Sequence, residues 1–373
     1  MNTRSLPLPT SRIRCYYRPL ILAATALTIL CVFWFASRYP QLLAKKAHIG
    51  EVLLPSMAWS NEVLHVASDA PAWQRILYGA VNWLDSMKIG MTFGVLMGAL
   101  LHTYLRYYPL KIGKNLYLNS LKGALIGAPA GVCANCSVPM ACGVTRGHGR
   151  VEVALGFLFS SPNFNPVVIA MTFVALPMVM GVTKYVILLS VIVLVVPALI
   201  SWLERSEPLK PFAIGNEGES CAVQLTTDEC TEPFWPVFGE MARDYGKNIW
   251  MLVKPTITLM LLASVVSSAL LTLIPWQSLL SEVTPLRVAC VSVVSVFMPV
   301  PIALDVMFAA QLYQQGIAPG YVMLFAMTLG TYSIIPSIYL WREVSKRLAV
   351  SLFVFFTVMG CVMALVFWTQ PII

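Results

Sequence analysis

Charge is the scarcest property of this sequence. Asp, Glu, Lys and Arg make up 11% of its 373 residues, while 58% are hydrophobic, and the mean hydropathy is +0.75. Soluble domains carry about 25% charged residues, so that class is excluded and an integral membrane protein is expected. A glycine-rich phosphate-binding loop is missing, so the chain itself consumes no nucleotide. Neither an enzyme nor a cofactor is expected. Only four histidines occur, and none has ligand spacing. His48 and His65 fall in a mixed segment, His102 at the end of a span, and His148 in a glycine-flanked turn. The nine cysteines are too scattered for a disulfide framework. The net charge of +8 is spread through short loops between apolar runs. That is the distribution the positive-inside bias produces, and it argues against a nucleic-acid partner.

What the sequence has in quantity is apolar runs, several of them broken by proline and glycine. Arg12, Arg14 and Arg18 precede the run from Leu20 to Ala36. That run reads as a retained first helix with a cytoplasmic N-terminus, the alternative being a cleaved signal peptide. Residues 1–75 thus hold a first helix and an external segment, with an interfacial helix near Ala44 to Leu54. Residues 76–203 and 247–373 read as two membrane repeats, separated by an acidic, preferably cytoplasmic loop over 204–246 that holds Cys221 and Cys230. Leu118 to Val144 is cut by Pro129, Gly131 and Pro139 into two arms of roughly 15–20 Å, about half a bilayer each. A re-entrant hairpin is expected there. The run from Val151 to Met180 crosses with an interruption at Ser160 to Pro166, and Val288 to Gln311 is broken at Pro299 and Pro301. Lys88 resembles Lys254, Phe157 resembles Phe325 and Pro166 resembles Pro336, at offsets of about 165 residues. The fold class expected is all-α: a polytopic membrane protein with two inverted repeats, each holding a broken hairpin and an interrupted helix.

The candidate chemistry gathers in the broken stretches, because unpaired backbone at membrane depth is tolerated only inside protein or around a cavity. Cys133 and Cys136 are three apart, a spacing that turns both thiols to one side, and thiolates suit soft ions. Cys142 would join them as a metal ligand if the hairpin folds back, but inert small residues would look the same in sequence. Ser161, Asn163 and Asn165 surround Pro162 and Pro166, and Ser333 stands before Pro336. Each either satisfies freed backbone or binds a solute. Asp305 is an intramembrane acid and so a candidate proton carrier. Asp85 is placed to pair with Lys88. Gly90, Gly94 and Gly98, like Gly123, Gly127 and Gly131, are spaced for close helix approach. They are expected to bring the second span against the first arm of the hairpin.

The stretch Cys-Ala-Asn-Cys-Ser-Val-Pro from Cys133, followed by Ala-Leu-Gly-Phe-Leu-Phe-Ser-Ser-Pro-Asn-Phe-Asn-Pro ending at Pro166, resembles the predicted-permease family that includes the organoarsenical efflux permeases. Val-Pro-Ile-Ala-Leu-Asp-Val-Met from Val300 and Leu-Gly-Thr-Tyr-Ser-Ile-Ile-Pro from Leu329 look like that family's second repeat. The resemblance spans most of Ile76 to Arg347. It implies an inner-membrane permease with a duplicated helical core, and some members export trivalent arsenicals by way of membrane cysteines. The expected function is therefore a secondary permease exporting a soft metalloid or other thiol-reactive solute by alternating access. The alternatives are a transmembrane thiol-disulfide oxidoreductase built on Cys133 and Cys136, a permease for a sulfur-containing or other small anion, and a channel. The expected partners are that solute, the lipid bilayer and a second copy of the chain in a homo-oligomer.

Overall fold

The structure is a computed structural model that describes residues 17–40, 43, 63–65, 70–108, 113–146, 150–205 and 234–368. The expected interfacial helix near Ala44 to Leu54, the turn at His148, and Cys221 and Cys230 lie outside the described residues. Within them the chain is all helical. Helix α1 (Tyr17–Phe33) runs on through a π turn, Trp34–Arg38. The long α2 (Ala72–Tyr107) is followed by α3 (Leu116–Gly127), a 3-10 turn (Ala128–Ala130) and α4 (Ala134–Arg146). Then come α5 (Val151–Asn163), α6 (Pro166–Ala175), α7 (Met178–Ser190), a second π turn and α8 (Val196–Glu204). The second half holds the long α9 (Phe234–Leu273), the short α10 (Trp276–Leu280), α11 (Pro285–Phe297), α12 (Leu304–Gln314), α13 (Pro319–Thr328), α14 (Ile334–Glu343) and α15 (Lys346–Val366).

Five helical stretches are long and apolar enough to cross a membrane: Tyr17–Arg38, Ala72–Leu105, Met178–Glu204, Phe234–Leu273 and Lys346–Val366. The pair α5 and α6, bent by 46° at its break, is a candidate sixth. The protein is therefore a multi-pass membrane protein. Helix α9 begins at Phe234, inside what the sequence suggested was loop up to Gly246. Its first turns are aromatic rather than acidic, and the polar residues that follow face α2. Tyr107 donates to Asp244 at 3.0 Å and Asn248 to Thr103 at 2.9 Å. Gly79, nearer the start of α2, approaches Ser268. Pairing of rising with falling numbers makes α2 and α9 antiparallel.

The breaks follow from local chemistry. Asn115 caps α3 by accepting from the Tyr117 and Leu118 amides. The helix ends where Pro129 tightens it into a 3-10 turn and Gly131 takes a left-handed φ of +61°, which glycine adopts without a Cβ penalty. Asn165 caps α6 with Pro166 at its first position, a preorganised helix start. Helix α11 stops ahead of Pro299 and Pro301, which lack the amide to continue it. Ala303 then turns left-handed at φ +65° to start α12.

Glycines set the helix directions. Gly90, Gly94 and Gly98 face, in that order, Cys136 and then Pro139, and Gly143 faces Gly98, so α2 and α4 run parallel. Gly123 and Gly127 face Val153 and Phe157, so α3 and α5 run parallel. Since α4 and α5 are antiparallel neighbours, α3 and α4 form a hairpin whose tip is 128–133. The glycine ladder on the second span thus meets the second arm of the hairpin, not the first arm as expected. The first arm carries its own glycines and presses them on α5 instead. In the second half, Ser292 and Phe297 of α11 meet Thr357 and Phe353 of α15. Gly320 and Thr328 of α13 meet Ala364 and Gly360. Both α11 and α13 therefore oppose α15. Phe308 on Phe325 and Asp305 beside Gly330 make α12 and α13 antiparallel. Helices α11 and α12 are thus a second hairpin, with its tip at 298–303. Every residue of α13, and every residue of α5 after its first, is buried, as expected of helices enclosed on all sides. Phe159 of α5 packs on Tyr332 and on Phe356 of α15 at 5.3–6.0 Å.

Candidate functional site

The two hairpin tips meet through the first turn of α4. At the second tip, the Pro299 carbonyl accepts from the Trp83 indole at 3.0 Å and from the Ser267 hydroxyl at 3.2 Å. The Val300 carbonyl accepts from the Asn135 amide at 3.2 Å. Asn135 lies in the first turn of α4, and its oxygen accepts from Ser333 at 2.6 Å. The carbonyls at this proline break are thus capped by Trp83 and Asn135 from the first half and by Ser267 from α9, the form of satisfaction broken backbone requires inside a membrane.

Cys133 and Cys136 stand at the first tip, 2% and 1% exposed. Their sulfurs are 2.7 Å apart, and the Cys136 amide donates to the Cys133 sulfur at 3.3 Å. The Met87 thioether lies 3.7 Å from the Cys133 sulfur, so that sulfur has two others beside it. Sequence reasoning missed Met87. Its signal is a methionine one turn before the Gly90 ladder, on the face that the ladder turns toward α4. Close approach through Gly90 and Gly94 is what brings α2 within reach of the pair. Cys142 is buried two turns along α4. Among the described residues no three His, Cys, Asp or Glu side chains gather as a metal-holding group. The structure therefore does not bring Cys142 to the Cys133–Cys136 pair.

The polar residues of the first break surround the same tip. The Ser161 hydroxyl donates to the Val132 carbonyl and accepts from its amide, both at 3.3 Å. Asn163 donates to Phe159 at 3.0 Å, and its oxygen accepts from Thr331 at 3.3 Å. Asn165 caps α6, while its amide nitrogen is buried without a partner beside Gly131. Ser161, Asn163, Asn165 and Ser333 are thus brought together with the thiol pair, and most of their capacity is taken by backbone and by one another.

Asp305 lies at the start of α12, beside Gly330 in the second break. It does not join the thiols. It accepts from Lys184 at 2.6 Å, with the Lys184 side chain fully buried. Lys184 belongs to α7, so this buried ion pair ties the first half of the chain to the second. Sequence reasoning singled out the acid and missed the lysine, although a lysine inside an apolar span is as telling as an acid. Lys88, by contrast, is exposed and pairs with Asp85 at 2.5 Å as expected.

Comparison with known proteins places this site in context. A family model described as a predicted permease matches residues 76–369. The protein YraQ of Escherichia coli strain K12, described only as a UPF0718 protein, is 25% identical over 292 residues, which cover 74% of this chain and 75% of the relative. No solved structure matches.

Proposed function

This chain belongs to the predicted-permease family, and on that premise we propose that it is a secondary transporter whose solute binds where the two hairpin tips meet. The observation that carries the reading is the coincidence of two features in one place. Broken backbone from both halves converges there, and Cys133, Cys136 and Met87 put three soft donors beside it. Thiolate and thioether sulfur select soft ions and metalloids, so the solute is a soft metalloid or another thiol-reactive small molecule such as a trivalent organoarsenical. The oxidoreductase alternative needs a thiol that a soluble partner can attack, and the burial of both sulfurs weighs against it.

The two halves act, on this reading, as inverted repeats over 76–203 and 247–373. Three features support it. Each half runs long helix, hairpin, interrupted helix, then a final span. The first hairpin follows the C-terminal end of α2 and the second that of α9, and those two helices are antiparallel, so the hairpins start from opposite ends of the bundle. The starts of α4 and α12 then correspond, making Asn135 the counterpart of Asp305 and Cys133 that of Ala303. Rocking of one half against the other would alternate access to the tips. On this topology the helix ends bearing Lys114, Arg150, Arg205, Arg243, Lys346 and Arg347 fall at one end of the bundle. That favours an inner-membrane protein with this end, and the N-terminus, in the cytoplasm. Asp305 is the acid placed to couple transport to protons, and a homo-oligomer is compatible with the exposed apolar helix faces.

The test is uptake into inverted membrane vesicles, using trivalent arsenicals, Cu(I), zinc and sulfur anions. Wild type is expected to accumulate at least one soft solute. Cys133→Ser and Cys136→Ser are each expected to cut that uptake by about tenfold or more, the consequence of losing one of few strong ligands. Uptake indifferent to both substitutions removes the thiol site, and proton-driven uptake unchanged in Asp305→Asn removes that residue's coupling role.

A further inference from the structure

We propose that the site recognises an anion as well as a soft centre, and that Arg38 is its anion-binding arm. The inference rests on the thiol-site reading above and names the substrate class more narrowly: a small carboxylate or oxyanion that also carries a thiol-reactive atom.

Helix α1 ends in the π turn Trp34–Arg38. Such turns insert one residue, re-aim the side chains that follow and recur at functional sites. Here the turn delivers two side chains to the first hairpin tip. The Trp34 indole donates to the Pro129 carbonyl at 3.2 Å, and its ring lies against Gly131. Arg38 runs toward the thiols. A Cβ on Gly90 would lie 3.0 Å from both the Arg38 Nη2 and the Cys136 Sγ. Those two atoms are therefore at most about 6 Å apart, close enough for one small solute to touch both.

Arg38 is 6% exposed, and its Nε is buried without a partner. Among the described residues the guanidinium makes no hydrogen bond and no ion pair. The Phe33 ring, 4.8 Å from Cζ, covers one face without neutralising the charge. Among the described residues the only groups near enough to act on it electrically are the Cys133 and Cys136 thiols, which are neutral unless ionised. The other buried cations differ: Arg18 has Glu240 at 3.1 Å and Lys184 has Asp305 at 2.6 Å. An uncompensated buried charge is costly, and a guanidinium does not escape by losing its proton. Once both sulfurs are bonded to a soft atom they carry no free thiolate charge, and the counter-charge falls to the ligand. A planar fork of donors fits a carboxylate or oxyanion in bidentate fashion, while the sulfurs take the soft atom. Arg38 lies outside residues 76–369, so the family match does not by itself predict this arm.

The experiment is equilibrium binding to the purified full chain in detergent, read by quenching of tryptophan fluorescence. It uses two arsenic(III) probes, each of which condenses with two thiols to form two As–S bonds, the As–O bond and both S–H bonds breaking with release of one water: phenylarsine oxide, which is neutral, and its 4-carboxylate. Wild type is expected to bind the carboxylate about tenfold more tightly. Arg38→Gln is expected to abolish that preference while leaving the neutral probe within about twofold, and Arg38→Lys to keep part of it. A wild type without preference, or an Arg38→Gln variant that weakens both probes equally, overturns the anion arm. In the same assay the double substitution Cys133→Ser, Cys136→Ser should weaken both probes. If it weakens neither while Arg38→Gln still removes the preference, the thiol reading fails and the anion arm stands.

Discussion

At the scale of single residues, the sequence exposed chemistry but not partnership. Cys133, Cys136 and Asp305 stand out because thiol pairs and acids are unusual inside apolar runs. What each one touches depends on helices far away in the chain. Met87 and Arg38 come to the thiols from α2 and α1, and Lys184 comes to Asp305 from α7, none with a spacing rule to announce it. The Lys184–Asp305 pair yields a stability prediction. Removing one partner leaves a buried charge uncompensated, at a cost of about 3–5 kcal/mol, whereas replacing both by apolar residues is far milder. Lys184→Met should therefore lower the thermal midpoint of the detergent-solubilised protein by several degrees, and adding Asp305→Leu should restore much of it. A single variant that melts like wild type would show that the pair does not hold the two halves together.

At the scale of elements, the breaks were legible and their packing was not. Proline and glycine marked the tip at 128–133, the bend after Asn163 and the stop before Pro299, since each removes a donor or permits a left-handed turn. The start of α9 at Phe234 was missed because polar residues looked like loop. They are polar because they meet α2, through Tyr107 to Asp244 and Thr103 to Asn248. The glycine ladder was rightly read as a contact face, but its partner arm was misjudged. Spacing shows that a face is small, not what lies opposite. The contact itself makes a prediction. A Cβ at Gly94 overlaps the Cys136 carbonyl, whereas one at Gly239 meets nothing. Gly94→Ala should force α2 and α4 apart at a cost of about 1–3 kcal/mol and weaken binding of soft solutes with it. Gly239→Ala should be silent in both melting and binding assays.

At the scale of the whole molecule, the all-helical, multi-pass character follows from composition, and two broken modules follow from the spacing of prolines. The meeting of the tips does not, because it depends on α2 and α9 lying antiparallel and on carbonyls of one half being capped by side chains of the other. The central claim is that a soft solute binds at that meeting point. Its most direct test is alkylation of the native cysteines in intact vesicles, mapped by mass spectrometry with and without a saturating solute that the vesicles accumulate. The solute is predicted to protect Cys133 and Cys136 together, while Cys142, buried elsewhere on α4, and the exposed Cys290 react at unchanged rates. Uptake that continues with Cys133 and Cys136 unprotected, or protection confined to Cys142, would contradict it.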